Sequence, residues 1–255
     1  MENSHNTSSS ARTLSYFVSD VHLGLQVEDP AGRERRFVDF LNSIPKDRTE
    51  ALYLLGDIWD FWYEWKYTVP KGYIRVFAAL MDLMEAGVKV FFFYGNHDMW
   101  AFRYFEEMGM VKLTQPCFTE IGSKVFCLGH GDGLGKTKLS YRIMNKAFHS
   151  PFVQFCFGSF LHPTVAMGFG RAWSRNNRLA KRKPYVWSGI QEPLAQYAEG
   201  VLKERKVDFF IFGHWHVPVR QPLSTGAELY VLDSWIFRDN CIIYDSASGS
   251  IRVEE

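Results

Sequence analysis

Five apolar runs of strand length in this chain each end on a short polar motif. The run 14–19 ends on Asp20 of Ser-Asp-Val-His, with His22 two residues on. Residues 51–55 lead into Gly-Asp-Ile-Trp-Asp, which carries Asp57 and Asp60. Residues 88–94 lead into Gly-Asn-His-Asp (Asn96, His97, Asp98), and 124–128 into Gly-His-Gly-Asp (His130, Asp132). Residues 208–212 lead into Gly-His-Trp-His (His214, His216). Between the runs lie segments of helical period. In 33–41, Phe37, Phe40 and Leu41 share a face; in 73–85, Ile74, Phe77, Leu80, Met81 and Met84 do; 189–206 is a third such segment. Strands alternating with helices predict α/β architecture. In such sheets ligands gather outside the carboxyl ends of the strands, so the motif loops are expected to converge on one crevice. The glycines before Asp57, Asn96, His130 and His214 read as aids to tight turns. Beyond His216, short strands at 229–232, 241–244 and 250–253 predict a second, more antiparallel sheet.

The motifs supply oxygen and nitrogen donors and no thiolate, which suits Mn, Fe or Zn. Hydrolysis of a phosphate ester needs a nucleophile at neutral pH and a counter-charge on the phosphoryl oxygens, and two cations about 3.5–4 Å apart provide both. Asp57 is the best candidate to bridge two divalent ions. Asp20, His22 and His216 would complete one site; Asn96, His130 and His214 would complete the other. His97 is left to contact the phosphoryl group or protonate the leaving oxygen, with Asp98 setting its tautomer. Asp60 and Asp132 either orient ligands or cap loops.

The net charge of +1 does not point to nucleic acid. Cys117, Cys127, Cys156 and Cys241 form no C-x-x-C pair and read as small buried residues of a reducing compartment. Residues 1–12 are polar and Ser-rich without an apolar signal core, which predicts a disordered tail on a cytoplasmic protein. Residues 134–183 contain no Asp or Glu, and their middle, 148–170, is rich in Phe, Val, Leu and Met. Pro151 and Pro163 interrupt that stretch, and a spanning helix needs roughly 20 uninterrupted apolar residues, so no transmembrane segment is expected. A basic, apolar, acid-free insertion predicts a surface for anionic lipid or an anionic amphiphile. Arg171, Arg175, Asn176, Arg178 and Lys181, at near-helical spacing, are expected to contact phosphate or headgroup. His149 and His162 read as structural. The aromatic run Trp59, Phe61, Trp62, Tyr63, Trp65 and Tyr67 reads first as packing, with a groove wall as the sharper alternative.

In combination and order, Asp-x-His, Gly-Asp-x-x-Asp, Gly-Asn-His-Asp, Gly-His and Gly-His-x-His resemble the calcineurin-like metallophosphoesterases. The resemblance implies a two-sheet α/β sandwich flanked by helices, with metal ligands at Asp20, His22, Asp57, Asn96, His130, His214 and His216. A closer resemblance, through Ser-Asp-x-His-Leu-Gly and the insertion, is to the UDP-2,3-diacylglucosamine hydrolases of lipid A biosynthesis. It implies a helical lid over about 136–183, two manganese ions, substrate contacts from Asn96 and His97, and cleavage to UMP and 2,3-diacylglucosamine 1-phosphate. It also implies a peripheral place at the inner membrane. The chain departs from the better-known proteobacterial members at His97, where they carry Arg. A phosphoesterase for another nucleotide or phospholipid, or a non-catalytic membrane-surface module, stays open on the residues alone.

Overall fold

A computed structural model describes residues 11–180 and 185–254, so most of the expected tail (residues 1–10) and Lys181 fall outside the described residues. The chain runs β1 (Leu14–Val18), α1 (Pro30–Ser43), β2 (Thr49–Leu54), α2 (Ile74–Glu85), β3 (Lys89–Phe93), α3 (Tyr104–Glu107), β4 (Val111–Leu113), β5 (Cys117–Ile121) and β6 (Lys124–Leu128). Three helices follow: α4 (Leu139–Phe148), α5 (Pro151–Phe160) and α6 (Pro163–Ala180). The remainder is α7 (Pro193–Leu202), β7 (Phe209–Phe212), β8 (Val219–Pro222), β9 (Glu228–Val231), β10 (Cys241–Asp245) and β11 (Ser250–Glu254).

The strands form two mixed sheets, ordered β11-β10-β1-β2-β3-β4 and β5-β6-β7-β9-β8. Within them β1 to β4 are parallel, and so are β6, β7 and β9. The strands after His216 do not make a sheet of their own, contrary to the sequence expectation. β9 joins the second sheet parallel to β7, while β10 and β11 return to the first sheet, Leu14 pairing with Asp245. The segment 189–206 also yields less helix than its periodicity predicts. A short turn at Gly189–Gln191 precedes α7, which begins at Pro193, where a missing N–H costs nothing.

Side chains alternate between layers with the period of a strand. Tyr16, Val18, Leu52 and Leu54 pack outward with Phe37 and Leu41 of α1 and Val76 and Leu80 of α2. Phe17, Tyr53 and Phe93 point the other way and meet Phe126, Ile211 and Tyr244 between the sheets. Phe17 is the hinge of that layer: its ring stacks on Tyr53 at 4.9 Å and on Phe126 of the opposite sheet at 5.7 Å. The far face of the second sheet is covered by α7 through Leu194, Ala195 and Ala198. Both faces of the central strands are thus buried, which explains why they read as continuous apolar runs.

The aromatic run divides its labour. Trp59 and Trp62 are fully buried and lie against Phe105, at 4.5 and 4.9 Å between ring centroids. Phe61 and Tyr63 instead receive the inserted helices: a Cβ on Gly170 would overlap the Phe61 ring, and one on Gly158 would overlap the Tyr63 hydroxyl. Tyr63 Oη donates to the Gln154 carbonyl at 2.6 Å, and Trp100 Nε1 to that of Phe148 at 2.9 Å. The outer surface of the insertion leaves Leu139, Ile143, Phe152, Phe155, Phe160 and Phe169 exposed. No single described helix is long and apolar enough to cross a membrane; Pro151–Phe160 and Pro163–Asn176 qualify only together and are bent by 118°.

The layers predict opposite costs for two Phe truncations. Phe126→Ala should destabilise the fold by about 3–5 kcal/mol, the range for large buried side chains. Phe152→Ala, on the exposed surface, should stay within about 0.5 kcal/mol. Urea unfolding followed by circular dichroism separates the two, and comparable losses would contradict the assigned layers.

Candidate metal centre

Asp20 follows β1, Asp57 β2, Asn96 β3, His130 β6 and His214 β7, so both sheets deliver loops from their carboxyl ends to one place. Five of these loop residues, Asp20, His22, Asp57, His214 and His216, have φ between 49° and 71°. That left-handed conformation is uncommon for non-glycine residues and is found where surrounding structure over-determines it. The glycines act differently from the sequence reading. Gly56 does take a positive φ of 88°, but Gly95 and Gly213 serve close approach. A Cβ on Gly95 would overlap Asp57 Oδ1, and one on Gly213 would overlap Ser19 Oγ and Asp20 Oδ2.

Among the described residues, two of the three side-chain groups able to hold an ion overlap at Asp57; the third is His22, Asp60 and His97. In Asp20, His22, Asp57 and His216, one donor atom from each lies within 4.8 Å of the others; Asp57, His130 and His214 form the second group. Asp57 belongs to both, its Oδ2 lying 3.3 Å from His130 Nε2 and 3.8 Å from His22 Nε2. His216 Nε2 stands 2.8 Å from Asp20 Oδ1. Asn96 Oδ1 and His130 Nε2 are buried without a hydrogen-bond partner. Buried polar atoms are rarely left so, and convergent orphaned donors fit cations. His130 Nδ1 is committed to the Leu55 carbonyl at 2.9 Å, which leaves Nε2 as the donor facing Asp57.

Electrostatics agree with that fit. Burial works against ionisation of Asp20, but His216 beside it holds its carboxyl well below the usual range. Burial likewise opposes the charged form of Asp57, and His130 and His97 outweigh it, holding its carboxyl low. Burial and the nearby His130 bring His214 down to about 4. Burial, opposed by Asp20 and aided by Arg178, brings His216 down to about 3. Both imidazoles are therefore neutral at pH 7, the form that binds metal.

His97 is half-exposed at the rim. Its backbone N–H donates to Asp57 Oδ1 at 2.8 Å, and its Nδ1 donates to the Asp60 carbonyl at 2.8 Å, leaving Nε2 free. The expected partnership of Asp98 with the His97 ring is not what the structure shows. Asp98 is fully buried and its carboxylate accepts backbone N–H bonds from Asp57, Ile58, Trp59 and Gly95. A carboxylate beside several loop amides is better satisfied there than by a ring at the rim, so Asp98 clamps two ligand loops together.

Of the basic residues expected at the site, Arg178 alone among the described ones reaches the cluster. Its Nη2 donates to His22 Nε2 at 2.7 Å and its Nη1 to His216 Nδ1 at 2.6 Å. Arg171, Arg175 and Asn176 are exposed on the same helix. His149 and His162 bond locally, to the Asn145 carbonyl and the Thr164 N–H. Asp132 braces the His130 loop, accepting from Gln115 Nε2 at 2.7 Å and from Tyr141 Oη at 2.9 Å. Sequence reasoning missed Arg33, buried in α1, whose Nη2 donates to the Leu25 and Val27 carbonyls of the loop beyond His22. It also missed Ser174, whose hydroxyl donates to Asp60 Oδ1 at 2.6 Å. Four-residue spacing from Arg178 was the one available signal for Ser174.

A family model described as calcineurin-like phosphoesterase matches residues 15–218. The chain belongs to the calcineurin-like phosphoesterase family and is a metal-dependent hydrolase of that class. Among named relatives, the UDP-2,3-diacylglucosamine hydrolase of Porphyromonas gingivalis is 32% identical over 253 residues, covering 93% of this chain and 96% of that protein. The protein of the same name from Yersinia pseudotuberculosis is 29% identical over 226 residues, covering 86% and 90%. Among solved structures, a dimetal phosphatase from Danio rerio aligns over 95% of this chain and 98% of its own, with a TM-score of 0.41 and 14% identity.

The shared position of Asp57 predicts an asymmetry among variants. Asp57→Ala should lose both bound ions, whereas His130→Ala should lose one. Metal counting by mass spectrometry on the purified, Mn²⁺-loaded variants checks this, and two ions retained by Asp57→Ala would reject the bridging role.

Proposed function

We propose that this protein cleaves the pyrophosphate of UDP-2,3-diacylglucosamine, releasing UMP and 2,3-diacylglucosamine 1-phosphate. One observation carries the reading: a basic, acid-free helix, α6, lays Arg178 against the metal-ligand cluster while the same insertion exposes a field of Phe side chains. An anionic head joined to acyl chains matches that pairing, and the names of the relatives agree with it.

Asp20, His22, Asp57 and His216 would hold one divalent ion, and Asp57, Asn96, His130 and His214 the second. When bound, the ions supply a nucleophilic water at neutral pH and neutralise phosphoryl charge. The water oxygen bonds to phosphorus as the bridging P–O bond breaks, and the leaving oxygen takes up a proton. His97 Nε2, free because Nδ1 is spent on the Asp60 carbonyl, is the atom that meets the phosphoryl group or protonates the leaving oxygen. Arg178 uses the lone pair of His22 Nε2 that a metal ligand would need, so with an ion held by His22 its guanidinium would be released. Its next partner is the substrate phosphate, for which a guanidinium is geometrically suited. Burying acyl methylenes contributes about 0.8 kcal/mol each, so chain contacts can dominate affinity. The same exposed face suits a peripheral place on an anionic membrane surface.

Incubation with UDP-2,3-diacylglucosamine and Mn²⁺ should yield UMP and the acylated sugar 1-phosphate by mass spectrometry, and chelation should abolish both. Turnover of simple phosphodiesters with no cleavage of the acylated sugar nucleotide would reject the substrate. His97→Ala should keep its metal content and lose about 10²–10⁴-fold in turnover, the usual share of a general acid–base group. Substitution by Arg should recover part of that loss; unchanged turnover in His97→Ala would remove the residue from the mechanism.

A further inference from the structure

One face of α6 carries Gly170, Ser174 and Arg178 at four-residue spacing, and all three touch residues of the metal-ligand loops or their neighbours. Gly170 admits the helix onto Phe61. Arg178 reaches His22 and His216. Between them, Ser174 and Asp60 meet out of water, each 2% exposed. Asp60 faces three ways from there. Its Oδ1 accepts the Ser174 hydroxyl at 2.6 Å and lies 3.3 Å from His22 Nδ1, and its backbone carbonyl accepts from His97 Nδ1 at 2.8 Å.

We propose that Ser174 is a positioning residue: through Asp60 it orients His22, so that seating of the inserted helices and assembly of the metal site become one event. The orientation of a metal-binding imidazole is set by what its other ring nitrogen meets. For His22 that neighbour is Asp60 Oδ1, 3.3 Å from Nδ1. Nδ1 itself and the second oxygen, Oδ2, are both buried with no hydrogen-bond partner, so the carboxylate sits beside the ring without being bonded to it. The Ser174 hydroxyl is therefore the donor that fixes the rotamer of the Asp60 carboxylate. Remove it, and a buried carboxylate is free to rotate away from His22. The coupling is reciprocal by thermodynamic necessity: whatever the Ser174 contact contributes to metal affinity, bound metal contributes to that contact. Arg178 acts in the opposite sense, because its guanidinium must leave His22 and His216 for metal to bind.

The inference rests on the proposed metal centre, and its test uses Mn²⁺ alone, with no substrate. Equilibrium dialysis measures Mn²⁺ affinity of the full chain, and tryptic cleavage within residues 136–183 measures seating, with and without saturating Mn²⁺. Wild-type cleavage should slow when Mn²⁺ binds. Ser174→Ala should bind Mn²⁺ about 10–100-fold more weakly, the usual cost of losing an outer partner of a ligand, and should lose the protection. Ser174→Thr, which keeps a hydroxyl, should restore affinity. Adding Ser174→Ala to Asp60→Asn should cost little beyond Asp60→Asn alone, because both act on one pathway. Wild-type affinity and protection in Ser174→Ala, or additive losses in the double variant, would overturn the coupling. Failure of the wild-type chain to bind Mn²⁺ would instead overturn the metal centre itself.

Discussion

Asp57 is an ionised carboxylate at the meeting point of both sheets with almost no access to water. Burying such a charge unpaired is prohibitive, so its surroundings must answer it. The His97 amide meets one oxygen, and His22 and His130 approach the other. Asp98, a second buried carboxylate, crowds the same turn. Burial and the charge of Asp57 push Asp98 up to about 7, against the pull of its backbone amides. Burial opposes the charged form of His130, but Asp57 and Asp20 outweigh it and hold that imidazole well above its ordinary range, so the carboxylates of this pocket draw positive charge to themselves. Arg178 supplies some from the insertion, and divalent ions fit the remainder.

Meeting this demand shapes the backbone. Ligands from loops of two sheets can surround one carboxylate only if those loops approach within contact distance, hence glycines at 95 and 213 where no side chain fits. Left-handed ligand residues each cost of order 1–3 kcal/mol, which rigid flanking structure must offset. Every strand feeding these loops is packed into the inter-sheet core or the outer layers. The strained residues therefore follow directly from the most constrained segments of the chain, which set the direction of each ligand.

Much of this was legible because local pattern and function coincide. Each ligand stands within a few residues of the end of an apolar run, so locating the strands located the site. Pro151 and Pro163, each opening a helix, likewise mark the breaks between α4, α5 and α6. What escaped depends on long-range geometry. Nothing local tells Cys241–Asp245 to return beside β1, because that pairing is decided by which sheet edge lies open at the end of the chain. Asp98 sits next to His97 in sequence, yet its carboxylate turns to the amides of another loop, 39 to 41 residues away. Ser174 is one serine on a polar helix face until Asp60 is seen opposite it.

The two sides of the insertion are built from different kinds of contact. Its inner side is held by directional contacts: Tyr63 and Trp100 to carbonyls, Ser174 to Asp60, and Gly158 and Gly170 packed onto aromatic rings. Such contacts tolerate little displacement, since a hydrogen bond weakens steeply with distance and angle. Its outer side, by contrast, is made of exposed Phe, Leu and Ile, whose apolar contacts are non-directional and scale with area. For the substrate proposed above, a surface of that kind would accept chains of differing length and position, and the fixed inner side would keep the phosphate in register whatever the chains do. In the proposed reaction, precision at the phosphorus and latitude at the acyl chains would thus come from opposite faces of the same helices.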